Sequence, residues 1–202
     1  MIERKQLFLA AAVSAVLMLP SPGLAQMNAE NHSADSARPA QVGNNSNAPG
    51  VEQASLAKLA GEYDRVVKFA GQTGAMAAPS AGTSKLSVIL GGRFVLEEVK
   101  DVVFGQPVEG LRIYGYNNAT GQYEMARMYT MSTGITMMKG TSSDGGKTID
   151  YAGETGSPAA GGMTMHARLD RTDEDHFTVT LSTARADGKL TPFQETIYTR
   201  KK

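Results

Sequence analysis

From residue 62 to the end of the chain, apolar side chains recur at alternate positions in short runs separated by turn formers. Ten strand-like runs result, at 62–70, 80–90, 92–103, 108–116, 122–130, 134–142, 147–154, 162–171, 176–184 and 190–200. The punctuation is dense: "GG" at 91–92, "NNATG" at 117–121, "SSDGG" at 142–146, "SPAAGG" at 157–162, "TDED" at 172–175 and "ADGK" at 186–189. Connections this short cannot host crossover helices, so successive strands must pair antiparallel. Ten such strands avoid exposed edges best by closing into an all-β up-and-down barrel, with a sandwich as the alternative. Ahead of them, "VEQASLAKLAG" places Val51, Leu56 and Leu59 with a helical lean and stops at Gly61, which predicts one short helix.

The residues before that helix belong to a different class. Arg4 and Lys5 open the chain, an apolar run from Leu7 to Leu19 follows, Pro20 and Pro22 break it, and "GLA" at 23–25 offers small residues at a cleavage site. This pattern predicts a secretory signal peptide cut after Ala25, hence an exported and most naturally periplasmic protein. The run is too short to span a bilayer, and no later one approaches ~20 apolar residues. Residues 26–50 are Asn, Ser, Ala, Pro and Gly with few large apolar side chains, a composition that cannot offset the entropy of ordering and predicts a disordered linker. The folded unit is then 51–202, a suitable length for one domain.

The chain has no cysteine, so lipid attachment at a cleavage-site cysteine, disulfides and thiolate metal sites are all excluded. Removing residues 1–25 takes Arg4, Lys5 and Glu3 with it and leaves 18 basic against 19 acidic residues. A balance this even, with no basic stripe, gives no support for a nucleic-acid partner.

Alternation assigns faces on several strands. Tyr63, Arg65, Val67 and Phe69 oppose Glu62, Asp64 and Lys68; Tyr123, Met125, Arg127 and Tyr129 oppose Glu124, Ala126 and Thr130. Met163, Met165, Ala167 and Leu169 share a face, as do Phe177, Val179 and Leu181. The runs 92–103, 108–116 and 134–142 are apolar on both faces and stay unassigned. The inner wall is therefore aromatic and Met-rich, with Arg65 and Arg127 as its cations. A guanidinium inside a barrel keeps its proton and needs an anion. That anion is either an internal carboxylate, for which Glu97, Glu98 and Glu195 are candidates, or the head of an amphipathic ligand. In the second case Tyr129, Tyr151, Met125, Met163, Met165 and Phe177 line the space for the tail.

"LAKLAGEYDRVVKF", "ILGGRFVLEE", "GQPVEGLRIYGYNNATGQY", "MSTGI" and the closing "YTRKK" together resemble the bacterial domain-of-unknown-function family numbered 1579, over residues 55–202. The resemblance implies a calycin-like, lipocalin-like barrel and brings no catalytic set with it. By analogy with lipocalin-like barrels, Gly61, Tyr63 and Arg200 stand where a Gly-x-Trp motif and a last-strand arginine close one end. That analogy implies a structural role for the three, with Tyr63 in place of the tryptophan.

The remaining motifs read as structure. "GG" at 91–92 is followed by a strand and not a helix, so it predicts a tight hairpin bend and not an anion cradle. "SSDGGKTID" has Thr141 where a nucleotide-binding loop needs glycine, and a strand again follows. "MTMH" at 163–166 offers soft copper ligands, but Met165 and His166 are neighbours on a strand and point to opposite faces. His166 and His176 are the histidines of the folded unit and both fall on outward positions, which argues against an axial haem ligand and against a histidine base. Glu97 and Glu98 are adjacent and cannot converge on one glycoside. The expectation is a non-enzymatic barrel without catalytic residues, metal or cofactor, whose partner is a small apolar or amphipathic ligand. The alternative is a structural or partner-binding envelope protein with a filled lumen.

Overall fold

The computed structural model describes residues 47–70, 79–155, 163–184 and 188–202. The proposed signal peptide and most of the linker lie outside these residues, as do parts of the connections after Ala70, Thr155 and Ala184. A short helix, α1 (Val51–Ala57), precedes ten strands: β1 (Gly61–Phe69), β2 (Ser80–Ile89), β3 (Phe94–Val103), β4 (Gln106–Asn117), β5 (Gln122–Tyr129), β6 (Thr136–Thr141), β7 (Thr148–Thr155), β8 (Met163–Arg171), β9 (His176–Ala184) and β10 (Leu190–Arg200). Each strand pairs antiparallel with its sequence neighbours, and β1 pairs with β10, so the sheet closes into an up-and-down barrel. Closure leaves no free sheet edge, which is what short connections between ten alternating strands favour.

Two kinds of connection separate the barrel's ends. One end carries the turns after β2, β4, β6 and β8 and is stoppered by α1. Leu56 and Leu59 sink into the core there, and Gln53 Nε2 donates to the Tyr116 carbonyl at 2.9 Å and to Asn118 Oδ1 at 2.8 Å. Ser55 Oγ donates to the Gly145 carbonyl at 2.8 Å, and Arg171 donates to both the carbonyl and the hydroxyl of Ser55. A helix of 7 residues is held by these docking contacts and not by its own propensity.

The bend at "GG" differs from a two-residue hairpin. The register pairs Ile89 with Phe94, leaving four residues in the loop, and Leu90, Gly91 and Gly92 all have positive φ. The side chain of Arg93 turns back to the Leu90 carbonyl and to that of Asn47, so this arginine is committed to loop structure.

The structure assigns the faces that the sequence left open. On β3, Val95, Glu97, Val99, Asp101 and Val103 are buried, and on β4 so are Val108, Arg112 and Tyr114. Their outer faces carry a cross-strand apolar row, Leu96, Ile113, Ala126 and Met137, which is why periodicity alone could not choose.

Candidate functional site in the barrel lumen

The lumen is layered along its axis. Towards α1 it is filled by Tyr63, Tyr123, Ile149, Leu169 and Phe177 among others. A charged layer crosses the middle. Glu97 is 0 % exposed and accepts from the Tyr114 hydroxyl at 2.9 Å, the Tyr198 hydroxyl at 3.0 Å and Arg112 Nη1 at 3.3 Å. Arg112 also donates to the Tyr198 hydroxyl at 2.7 Å. Burial works against ionisation of Glu97, but Arg112, Arg65 and the two phenols outweigh it and hold the carboxyl below the ordinary range. Arg65 Nη1 pairs with Asp101 Oδ2 at 2.8 Å, and its Nε lies 4.0 Å from Glu97. Asp101 stands the other way: burial outweighs Arg65 and raises its pKa.

Arg127 has no such match. Directly opposite Arg112 on the neighbouring strand, it donates to the sulfur of Met165 at 3.1 Å and lies over the Tyr129 ring at 5.1 Å. Arg112 lies over the same ring at 5.5 Å. No carboxylate among the described residues comes within ion-pair distance of Arg127. Burial first, and then repulsion from Arg112, lower its pKa. The described lumen thus holds three guanidiniums, Arg65, Arg112 and Arg127, against two carboxylates, Glu97 and Asp101.

Beyond this layer, towards the end without the helix, a cavity of about 270 Å³ opens outward. Its inner end is made of Arg65, Asp101, Arg112, Arg127 and Tyr129, and its walls include Val67, Phe69, Val103, Val108 and Met165. Three buried polar atoms of these residues, Arg65 Nε, Asp101 Oδ1 and Tyr129 Oη, have no hydrogen-bond partner among the described residues. Phe104 packs on Phe69 at a centroid distance of 5.2 Å beside the opening.

Of the residues expected to line a ligand space, Arg65, Arg127, Tyr129 and Met165 do line this cavity. Met125, Tyr151 and Phe177 do not; they are buried in the filled half. Met163 is 50 % exposed at the rim and is not among the residues that line this cavity. The reason is common to all four: alternation fixes which face a side chain occupies but not its depth along the barrel axis. Among the candidate carboxylates, Glu97 sits inside, whereas Glu98 is exposed and Glu195 pairs with Lys68 at 3.1 Å on the outer face. At the stoppered end, the Arg200 guanidinium lies 4.8 Å from the Tyr63 ring centroid and donates to the carbonyls of Ala60, Lys58 and Glu174. Tyr63 donates its hydroxyl to the Leu59 carbonyl at 3.0 Å, and a Cβ on Gly61 would collide with Arg200.

Asp101 and Arg112 escaped the sequence reading. A usable signal existed: the turn at 117–121 pairs Asn117 with Gln122, and counting back along both strands puts Arg112 opposite Arg127. The hairpin between β3 and β4 likewise puts Glu97 opposite Arg112. His166 is partly covered and His176 exposed, the latter with Nδ1 2.9 Å from Asp173. Among the described residues no cluster of three His, Cys, Asp or Glu is arranged to hold a metal, and no helix is long and apolar enough to cross a membrane.

Comparison with known proteins agrees with this architecture. Residues 48–200 match the sequence model described as "Protein of unknown function (DUF1579)". No curated protein matches the chain. The crystal structure of Rv2717c from M. tuberculosis is similar with a TM-score of 0.52 at 15 % identity, covering 75 % of this chain and 98 % of that one. At that identity the likeness shows the barrel fold alone. A redesigned β-barrel, b11L5F_LGL, is more distant, with a TM-score of 0.37 at 14 % identity over 73 % of this chain and 96 % of that one.

Proposed function

We propose that this chain, which belongs to the DUF1579 family of proteins of unknown function, is an exported, non-catalytic carrier whose lumen takes up an amphipathic monoanion. The observation that supports this most directly is Arg127: a half-buried guanidinium facing a cavity, with a thioether and a ring for company and no carboxylate among the described residues within ion-pair distance. A cation drawn partly out of water with no anion beside it carries a desolvation cost, so the site favours a ligand that brings the missing negative charge. Three cations against two anions call for one charge, as in a carboxylate or a sulfonate. A fork of guanidinium donors beside the free Tyr129 hydroxyl suits an oxyanion head. The apolar walls then receive the tail. With about 30 Å³ for each water-sized group, a cavity of about 270 Å³ holds a head and a short chain, and a longer chain emerges through the mouth.

One observation favours the alternative of a ligand-free structural barrel: half of the lumen is already filled, and Glu97 is fully engaged within the protein. Calorimetric titration with decanoate, octylsulfonate and decyltrimethylammonium separates the two. The carrier reading expects both anions to bind, the cation not to bind, and Arg127→Met to abolish uptake. Silence from all three probes, or equal uptake of anion and cation, would transfer the assignment to the filled barrel.

A further inference from the structure

The outer rim of the same opening carries five of the twelve exposed large apolar side chains among the described residues. Phe104 in the β3–β4 turn is 72 % exposed, Met131 and Ile135 in the β5–β6 connection are 67 % and 62 %, and Leu190 at the start of β10 is 51 %. Met163, which opens β8, lies opposite Thr155 of the cavity wall and is itself half exposed. These five belong to four separate connections or strand ends, all at the end away from α1. Soluble surfaces tolerate scattered apolar residues, whereas a ring of them around one opening marks a contact surface.

The backbone adds an independent observation. Phe104 and Gly105 form the two-residue turn between paired Val103 and Gln106, and both have positive φ, 51° and 77°. That geometry suits Asn or Gly at the first position, and a large aromatic is strained there. A strained position that also holds an aromatic out in water is typical of a functional site and not of a core.

We infer that this rim docks the barrel, mouth down, onto the surface of a lipid bilayer, so that the amphipathic anion passes between membrane and lumen. The inference rests on the carrier reading above. Its shape argument is that the apolar residues stand at four places spread round the described rim and do not line one groove. A peptide helix or strand would fill a groove, whereas a ring needs a broad apolar surface that meets all sides at once. The cavity mouth is continuous with the ring, so the occupant also has to be the source of a molecule with an apolar tail. A bilayer interface meets both conditions, and shallow insertion needs neither a spanning segment nor a lipid anchor.

Flotation with phosphatidylcholine vesicles tests this, using the full mature chain alongside Ile135→Asp/Leu190→Asp. Both substituted residues lie on the rim and outside the cavity wall. The chain is expected to float with the vesicles, the double variant to lose at least about tenfold in partitioning, and both to take up soluble decanoate equally. A chain that binds decanoate but never floats overturns the docking and leaves the carrier intact. Flotation without decanoate uptake upholds the docking surface and removes the carrier reading. If wild type instead forms a dimer by native mass spectrometry that Ile135→Asp/Leu190→Asp dissolves, without vesicle binding, the rim is an interface between copies and the inference fails.

Discussion

The Arg127 guanidinium donates to the Met165 sulfur at 3.1 Å, whereas Arg65, deeper along the same cavity, is held by Asp101 at 2.8 Å. The two arginines line one space but stand in opposite electrostatic situations. Removing one member of a buried pair strands its partner, whereas removing an uncompensated charge relieves a cost. Arg127→Met should therefore leave the unfolding free energy unchanged or raise it by about 1–2 kcal/mol. Arg65→Met should lower it by about 3–5 kcal/mol because Asp101 is left buried and alone. Urea denaturation of the two variants under identical conditions checks the contrast, and a loss for Arg127→Met as large as that for Arg65→Met would contradict it.

Glu97 links the mid-barrel layer to pH. Its folded pKa is depressed by Arg112, Arg65 and two phenol donors, so its charged form contributes stability above the ordinary carboxylate range. That contribution should be fully present above the unfolded value of about 4.3 and lost as pH falls towards the folded value. Glu97→Gln removes the linkage and leaves two guanidiniums without their shared partner. The variant should be less stable than wild type by about 3–5 kcal/mol at pH 7, with the gap narrowing below pH about 4. Thermal unfolding followed from pH 3 to 7 measures this; a gap that stays constant across the range would refute the assignment.

The order of strands, their antiparallel pairing and the helix before them were all legible in the sequence because each is written locally. Turn residues bound every strand, and a period of two is visible within eight residues or so. The charged layer was only half legible. Arg65 and Arg127 announced themselves because their neighbours on the strand are cleanly polar or apolar. Arg112 and Asp101 were hidden because β3 and β4 carry Leu96, Leu111 and Ile113 on the outer face, which erases the alternation. Depth was illegible altogether. Phe177 and Arg127 share the inward face, yet one packs near the helix and the other faces the cavity, and only strand tilt and stagger decide which.

Closure of the filled end concentrates on Arg200, which caps the Tyr63 ring at 4.8 Å and supplies donors to three backbone carbonyls from two segments. A lysine offers one compact charge and cannot stack flat on the ring while reaching all three. Arg200→Lys should lose about 1–3 kcal/mol, most of what Arg200→Ala loses. Gly61→Ala should cost a similar amount, since its Cβ would occupy the place of the guanidinium at a φ of 154°. Chemical denaturation of the three variants provides the comparison. Full rescue by lysine would mean that charge alone, and not the planar fork, closes the barrel.

On the carrier reading proposed above, Asp101 tunes how strongly the lumen attracts an anion. Its Oδ1 lies where a Cβ on Gly82 would be and has no hydrogen-bond partner among the described residues, and burial raises its pKa despite the ion pair with Arg65. A raised carboxyl takes up a proton earlier in the folded protein than in the unfolded chain, so this group opposes folding increasingly as pH rises above the ordinary value of about 3.9. On protonation the lumen loses one of its two negative charges, and Arg65 joins Arg127 as an available cation. The affinity for an anion whose own charge does not titrate should therefore rise on acidification. With octylsulfonate as the probe, the dissociation constant should fall as pH drops from 7 into the range where Asp101 protonates. Asp101→Asn should reach about the same low value already at pH 7, at least about tenfold tighter than wild type, since one unit charge removed from within about 10 Å at an effective dielectric of about 20 is worth more than about 1.4 kcal/mol. The variant should also show a flat pH profile. If Asp101→Asn binds octylsulfonate more weakly than wild type at pH 7, the carboxylate serves to orient Arg65 for the ligand and does not compete with it.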